Sequence, residues 1–372
     1  MGVYDERRQG LYDWMEQEAV ALAMFEDFEG RRDPSLRWLT GHPGDALLFL
    51  SQDRQSLLVP WDINMARCYA HADMAIPYGE MDRQPDRAIR QAADLFKTPL
   101  GSRVEIPPVT PYPVFLRYVE SVNSFDILCR SNGLHEAAQE RRAIKDGEEL
   151  RIYRKAAEIT NEVIDLLEQN VTAGKLRTEI DAALFIEAEG RKRGGEGTGF
   201  ETLAAGPGRS FGIHAFPPYT AGPFASEGMS ILDFGLKYEG YTTDVTLTFV
   251  RGTLSGRQEK MLSLTEKAYA LALSMVKEGV SARGMAASVD AFFGKSKKAM
   301  PHALGHGIGM EAHEAPFLRN RADNTWQLKP GMIFTLEPGL YDPACGGCRL
   351  ENDILLTGEG AEVLTRARII RL

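Results

Sequence analysis

Residues 231–235 read I-L-D-F-G and residues 241–249 read Y-T-T-D-V-T-L-T-F, so two acids lie within runs that are otherwise apolar or β-branched. The polar, glycine-containing segment between these runs predicts that they form a β-hairpin. We expect the two acids, Asp233 and Asp244, to lie across from each other on adjacent strands. A buried carboxylate is costly unless it is paired, hydrogen bonded or bound to a cation. The hairpin is therefore a candidate ligand-binding element.

Three further polar residues stand in apolar or glycine-rich surroundings: His306 in H-A-L-G-H-G-I-G-M-E-A-H-E-A-P (302–316), Glu337 in I-F-T-L-E-P-G-L-Y (333–341) and Glu351 in C-R-L-E-N-D (348–353). Residues 334–336 and 353–356 predict a second strand pair, which Glu337 ends and Glu351 precedes. Strands hold ligands rigidly, so four carboxylates and one imidazole can converge on one small volume.

This oxygen-rich set with one imidazole predicts a site for two divalent cations, which would neutralise the four carboxylates. Such ligands suit manganese, cobalt, iron or zinc, whereas a structural zinc site uses Cys and His. Manganese is the first expectation, and cobalt, zinc and iron are the alternatives.

The five motifs, in this order, resemble those of the pita-bread metallopeptidases, the family of methionine aminopeptidase, aminopeptidase P and prolidase. All five ligand positions match, as do the spacing from Asp233 to Asp244 and the step from His306 to His313. The resemblance covers residues 145–370 and extends more loosely to the rest of the chain. It implies an α/β (α+β) protein with a creatinase-like amino-terminal domain and a pita-bread catalytic domain.

The resemblance also implies a role for each ligand. Asp244 and Glu351 would bridge two metals, Asp233 would complete one site, and His306 with Glu337 would complete the other. Two metals lower the pKa of a bridging water, and the resulting hydroxide would be the nucleophile. Glu337 would carry the water proton to the leaving nitrogen.

Two histidines and one arginine are implied to contact the substrate. His214, in a loop rich in Gly and Pro, and His313 match substrate-contacting histidines, and His313 would donate to the tetrahedral intermediate. Arg349 shares a strand face with Glu351. It either binds the free carboxylate of a dipeptide or forms a salt bridge at the rim. His302 matches a family histidine with a second-layer or packing role.

Two positions depart from the family pattern: Ile213 stands for a proline before His214, and Leu247 stands for an arginine that commonly supports the site. Neither is a ligand, but Leu247 leaves the specificity class open. Creatinase shares the fold and lacks the ligands. Their presence here argues against metal-free creatine hydrolysis.

Composition and charge limit the kinds of partner that we expect for this chain. The chain has 372 residues, 26% of them charged, and a net charge of −9 without a dense Lys/Arg cluster, which predicts no nucleic-acid partner. No apolar run is long enough for a membrane helix, and no signal peptide is visible, so we expect a cytoplasmic protein. Cys345 and Cys348 form C-G-G-C, interpreted as two ordinary thiols or as a redox-sensitive turn.

A charged segment at 140–149 predicts a boundary near Arg142, with an α/β amino-terminal domain at 1–141 and the catalytic domain at 142–372. The leading hypothesis is hydrolysis of Xaa-Pro bonds in short proline-containing peptides by a homodimer of the prolidase or aminopeptidase P type. The alternatives are a non-peptide hydrolase, for instance one acting on an ectoine-like compound, and an inactive binding protein on the same fold.

Overall fold

The computed structural model describes residues 2–372 and divides the chain into two compact units. The first unit ends at Arg141, and the second runs over Arg142–Leu372. Both mix helices with sheets, so the predicted α/β class is confirmed. Among the described residues, every helix is too short or too polar to cross a lipid bilayer.

The first unit is a six-stranded mixed sheet with helices. Its strands follow the order β4-β3-β2-β1-β5-β6. β1, β2 and β3 pair antiparallel, whereas β5 and β6 continue the sheet in parallel. The elements are α1 (Val3–Gln17), β1 (Val20–Asp27), α2 (Ser35–Thr40), β2 (Ala46–Ser51), β3 (Ser56–Pro60), α3 (Ile63–Tyr69), β4 (Met74–Ala75), a 3-10 turn (Tyr78–Met81), α4 (Pro85–Leu95), β5 (Arg103–Glu105), α5 (Tyr112–Ser121), β6 (Asp126–Leu128) and α6 (Leu134–Arg142).

The second unit has four helices and fourteen strands. The helices are α7 (Gly147–Thr172), α8 (Glu179–Lys192), α9 (Gly256–Ser274) and α10 (Ala282–Lys295). The strands are β7 (Gly197–Thr198), β8 (Leu203–Ala205), β9 (Gly228–Phe234), β10 (Leu236–Tyr238), β11 (Tyr241–Thr242), β12 (Val245–Arg251), β13 (Gly305–Gly307), β14 (Glu314–Leu318), β15 (Ile333–Leu336), β16 (Gly339–Asp342), β17 (Gly346–Arg349), β18 (Asn352–Thr357), β19 (Gly360–Val363) and β20 (Ile369–Arg371).

Two sheets of the second unit each bury one face against a pair of helices. The four-stranded sheet β20-β12-β9-β8 packs against α7 and α8 through Leu247, Phe249 and their neighbours. The five-stranded sheet β14-β13-β15-β18-β19 packs against α9 and α10 through Phe334 and Ile354. Because side chains alternate along a strand, every second residue of each sheet points away from these helices.

The predicted hairpin exists but is not simple. β9 and β12 pair antiparallel over their full length, yet the chain between them forms a second hairpin, β10–β11, which pairs with β7. An isolated bridge joins Thr246 of β12 to Glu351, just before β18. This bridge connects the two helix-covered sheets at the place where the predicted ligands lie.

Candidate metal centre

The two aspartates lie on one face of the β9–β12 pair. Asp233 is opposite Thr246, and Asp244 precedes Thr246 by two residues. The expectation that Asp233 faces Asp244 directly is therefore wrong by two residues. Because side chains two apart share a face of a strand, the aspartates still point to the same side. Both are at least nine-tenths buried.

The two glutamates come from the β15–β18 pair. Leu336 is opposite Asn352, so Glu337 and Glu351 leave neighbouring strands side by side. Ligand atoms of Asp244, His306 and Glu351 all lie within 4.8 Å of one another. The His306 Nε2 atom is 3.6 Å from Glu337 Oε1 and 3.7 Å from Asp244 Oδ2. The five side chains line one cavity of about 500 Å³.

The electrostatics of this cluster fit cations. Burial, followed by the charge of Glu351, raises the pKa values of Asp244 and Glu337 well above their ordinary ranges. Burial and the charge of Asp233 raise the pKa of Glu351 to about 7. Burial and then His313 lower the pKa of His306 to about 3, which keeps its imidazole neutral and able to bind a metal.

An orphaned oxygen gives a second sign of fit. The buried Oδ1 of Asp233 has no hydrogen-bond partner among residues 2–372. Buried oxygens of this kind are normally hydrogen bonded or bound to a cation. Carboxylate oxygens with one neutral imidazole form a donor set suited to divalent metals. The five residues can therefore hold cations, with the guanidinium of Arg349 paired to Asp233 beside them.

Arg349 is a buried member of this cluster, with 2% of its surface exposed. Its Nη2 donates to Asp233 Oδ2 at 2.5 Å and its Nε to Thr246 Oγ1 at 2.8 Å. Its Nη1 donates to the Tyr341 hydroxyl and to the Ile213 carbonyl. The expectation that Arg349 forms a salt bridge at the rim is therefore wrong, because its ion pair with Asp233 is buried. With four donors engaged, Arg349 is also poorly placed to receive a substrate carboxylate.

Residues that the sequence analysis did not single out orient the ligands. Thr246 donates its hydroxyl to Glu351 Oε2 at 2.6 Å. The buried carboxylate of Asp353 accepts the backbone N–H of Asp244 at 3.3 Å. Asp353 lies two residues after Glu351 in the predicted strand, so its position was the one signal that could have revealed it.

A buried ion cluster fixes the segment that carries His313. Glu314 accepts from Arg142 at 2.5 Å and from Lys145 at 2.8 Å. Burial opposes ionisation of Glu314, but Lys145 and Arg142 hold its pKa below the ordinary value. Arg142 and Lys145 belong to the motif by which the sequence predicted the start of the catalytic domain.

The histidines around the cluster differ in exposure. His302 donates from Nδ1 to the Ala303 carbonyl and has its Nε2 2.9 Å from the Tyr341 hydroxyl. Burial and then Arg349 lower its pKa to about 4. His313 and His214 are exposed and line the cavity, and the rings of His306 and His313 are 4.1 Å apart. His214 is close enough to lower the pKa values of His302 and His313, after the larger effect of burial.

The remaining cavity wall is apolar except for Glu201 and Arg319. Its apolar members are Phe200, Leu203, Ile213, Ala215, Phe216, Pro218, Ala303, Gly305 and Phe317. The guanidinium of Arg319 lies over the Phe317 ring at 4.9 Å, and its buried Nε has no hydrogen-bond partner within residues 2–372. The sequence offers no signal for Arg319, which follows β14 in an ordinary loop.

Comparison with known proteins gives the family. Residues 151–358, more than half of the chain, match the model of metallopeptidase family M24. An uncharacterized peptidase of Methanocaldococcus jannaschii is 34% identical over 63% of this chain and 67% of its own length. The Xaa-Pro dipeptidases of Pyrococcus horikoshii and Pyrococcus furiosus are each 32% identical, over 65% and 66% of their lengths. The chain thus matches about two thirds of these relatives.

Solved structures agree on the fold of the whole chain. The Xaa-Pro dipeptidase from Bacillus anthracis superposes with a TM-score of 0.84 at 23% identity, over 99% of this chain and 100% of that one. The prolidase from Pyrococcus horikoshii gives 0.83 at 22% identity, over 98% and 99%. The resemblance inferred from the five motifs is confirmed, and this chain belongs to metallopeptidase family M24.

Proposed function

We propose that this chain hydrolyses Xaa-Pro bonds in short peptides with two divalent cations held by Asp233, Asp244, His306, Glu337 and Glu351. The observation that carries the proposal is the convergence of these five side chains on one cavity, with three of the carboxyl pKa values raised in the absence of a cation. Two cations there would supply a water that ionises near neutral pH. The Xaa-Pro specificity is supported by the names of the two Pyrococcus relatives.

The side chains around the cluster would then divide the work. Glu337, beside His306, would accept a proton from the attacking water and pass it to the leaving nitrogen. His313 and His214 face the cavity; His313 would donate to the oxygen that gains negative charge, and His214 would contact the bound substrate. Arg349 would hold Asp233 in place rather than bind substrate, because its guanidinium already contacts Asp233, Thr246 and Tyr341.

Arg319 is a better candidate than Arg349 for the carboxylate of a dipeptide. It lines the cavity, and its Nε has no protein partner among the described residues. A guanidinium suits a carboxylate because both are planar and can form two parallel hydrogen bonds. Manganese as the metal, a homodimer in solution and a cytoplasmic location remain expectations from the sequence.

The test is an activity panel on metal-free protein. Xaa-Pro dipeptides, Xaa-Pro tripeptides and an ectoine-like amide would each be assayed with manganese, cobalt and zinc. We expect cleavage of the Xaa-Pro dipeptides only when metal is added. No cleavage of any Xaa-Pro peptide, with both cations bound, would refute the peptidase assignment and favour the non-peptide hydrolase.

The Arg319 assignment needs a matched pair of variants. Arg319→Ala should raise KM for dipeptides by about 10-fold or more, the scale expected for a lost charge-assisted contact. Arg321→Ala removes an exposed arginine two residues away that pairs with Asp323, and it should leave KM unchanged. Equal cleavage of dipeptides and tripeptides, with no effect of Arg319→Ala, would contradict carboxylate recognition and favour the aminopeptidase P type.

A further inference from the structure

The loop that carries His214 is held at its base by one carboxylate. The chain between β8 and β9 includes residues 206–220, which we call the His214 loop. Its tip is exposed: Phe216 has 94% of its surface open to solvent, and His214 is also exposed. Its base is tied to Glu179, the first residue of α8, which is 1% exposed.

Glu179 binds both ends of this loop. Its Oε1 accepts the backbone N–H of Gly206 at 2.7 Å. Its Oε2 accepts the backbone N–H of Thr220 at 2.8 Å and the Thr220 hydroxyl at 2.6 Å. The Arg209 guanidinium lies 3.2 Å from the same oxygen. Hydrogen bonds to an ionised carboxylate are roughly twice as strong as neutral ones. The Glu179 side chain thus joins both ends of the loop, beside backbone hydrogen bonds from the Ile180 N–H to the Thr220 carbonyl and from the Ala204 N–H to the Pro218 carbonyl.

The helix itself does not need this carboxylate. The side chain of Thr178 accepts from the Asp181 N–H, and the side chain of Asp181 accepts from the Thr178 N–H, which completes a capping box at the start of α8. Glu179 instead directs its side chain to the loop. A buried acid whose contacts all go to one loop has a role in that loop's conformation.

We infer that Glu179 is a positioning residue that fixes the His214 loop and thereby sets the affinity of the site for substrate. This inference rests on the proposed function for its catalytic consequence. Closing a loop removes conformational freedom that the loop would otherwise lose on binding substrate. A loop released at one end would hold His214 less often in the binding geometry, at a cost in KM.

The first experiment needs no substrate. Glu179→Gln leaves a single acceptor oxygen and places an amide N–H₂ against one of the loop's donors. We expect amide hydrogen exchange of peptides covering residues 206–220 to become at least several-fold faster, while other peptides are unchanged. Glu187→Gln is the matched control, because Glu187 lies on the same helix and pairs with the exposed Arg191, not with the His214 loop, among residues 2–372. Unchanged exchange in Glu179→Gln would overturn the inference.

The second experiment separates positioning from general stability. Glu179→Gln should lower kcat/KM by about 10-fold, mainly through KM, with metal content unchanged. If Glu179 acts through His214, the double variant with His214→Ala should be no worse than His214→Ala alone. If the two effects on kcat/KM multiply in the double variant, the two residues act independently and the inference is refuted.

A third variant tests the inference in case Glu179→Gln does not fold. Thr220→Val removes the hydroxyl donor and keeps the Glu179 carboxylate, so it should show the same exchange and KM changes to a smaller degree. No change in either measurement would contradict the inference that Glu179 fixes the His214 loop. If wild-type protein cleaves no Xaa-Pro peptide, the proposed function fails, yet the exchange experiment still decides whether Glu179 fixes the loop.

Discussion

Asp244 and Glu351 are the residues whose loss should affect metal binding most. The family resemblance implies that both would bridge two cations, so Asp244→Ala or Glu351→Ala should abolish binding of both, whereas a variant of a single-site ligand should retain one. Elemental analysis after dialysis against limiting manganese measures this directly. Glu362→Ala, which removes an exposed carboxylate paired with Arg154, is the control. Full occupancy in the Asp244 and Glu351 variants would refute the bridging assignment.

His313 should matter for turnover and not for metal. Its ring lies 4.1 Å from that of His306 but it is exposed to the cavity, as expected of a donor to substrate. His313→Ala should lower kcat by roughly 10²-fold or more, the effect of losing one transition-state donor. Metal content should equal that of wild type. A normal kcat on a good substrate would remove His313 from the mechanism.

At the residue scale, the sequence pointed to the acids better than to the arginines. A carboxylate in an apolar strand needs a partner, so Asp233, Glu337 and Glu351 stand out from the sequence alone. An arginine gives no such signal, because its partner is decided by the fold. Arg349 was expected to bind a dipeptide carboxylate or to form a salt bridge at the rim, and it is buried against Asp233. Arg319 became a candidate only through the cavity that it lines.

At the element scale, Arg349 ties β17 to β9 and β12 through Asp233 and Thr246. Removing one partner of a buried ion pair destabilises a protein by about 3–5 kcal/mol, because the other charge stays buried and unpaired. Arg349→Ala should therefore shift the unfolding midpoint of metal-free protein strongly downward. Arg257→Ala, which breaks an exposed pair with Asp342, should change it little. Similar midpoints for both variants would contradict this account.

Elements with strong periodicity were predicted well. The strand pairs β9–β12 and β15–β18 agree with their apolar patterns. The short helix α2 ends after six residues at Gly41, which adopts a left-handed conformation. The inner hairpin β10–β11 was missed, since its two- and three-residue strands are too short to show alternation.

Leu247 illustrates why one position can mislead. It stands where an arginine commonly supports the site in the family. In the fold it is completely buried in the core beneath α7 and α8, on the face of β12 opposite Asp244 and Thr246. Alternation along the strand separates the two faces, so Leu247 contributes to packing. Its identity does not bear on the ligands.

At the scale of the whole molecule, the α/β class could be predicted from the sequence pattern. The geometry of the site could not, because it depends on pairing between strands that are distant in the sequence. The C-G-G-C motif shows the difference. Cys348 is buried in the core, and burial raises its pKa to about 11, which disfavours the reactive thiolate. The redox interpretation of Cys345 and Cys348 therefore loses support, and ordinary thiols in a hairpin describe them better. Burial was the missing information, and it emerges only from the fold.

The increase in stability of the whole protein on metal binding should depend on pH. Without a cation, Glu351 has its pKa raised from 4.5 to about 7, so the folded state binds this proton more tightly than the unfolded chain does. Its contribution to stability is fully present below pH 4.5 and is lost as pH rises through 7. A bound cation replaces the proton and removes this loss. Manganese should therefore raise the melting temperature far more at pH 8 than at pH 5, relative to chelated protein, measured by calorimetry at fixed ionic strength. Equal increments at both pH values would show that the acids are not the groups that bind the metal.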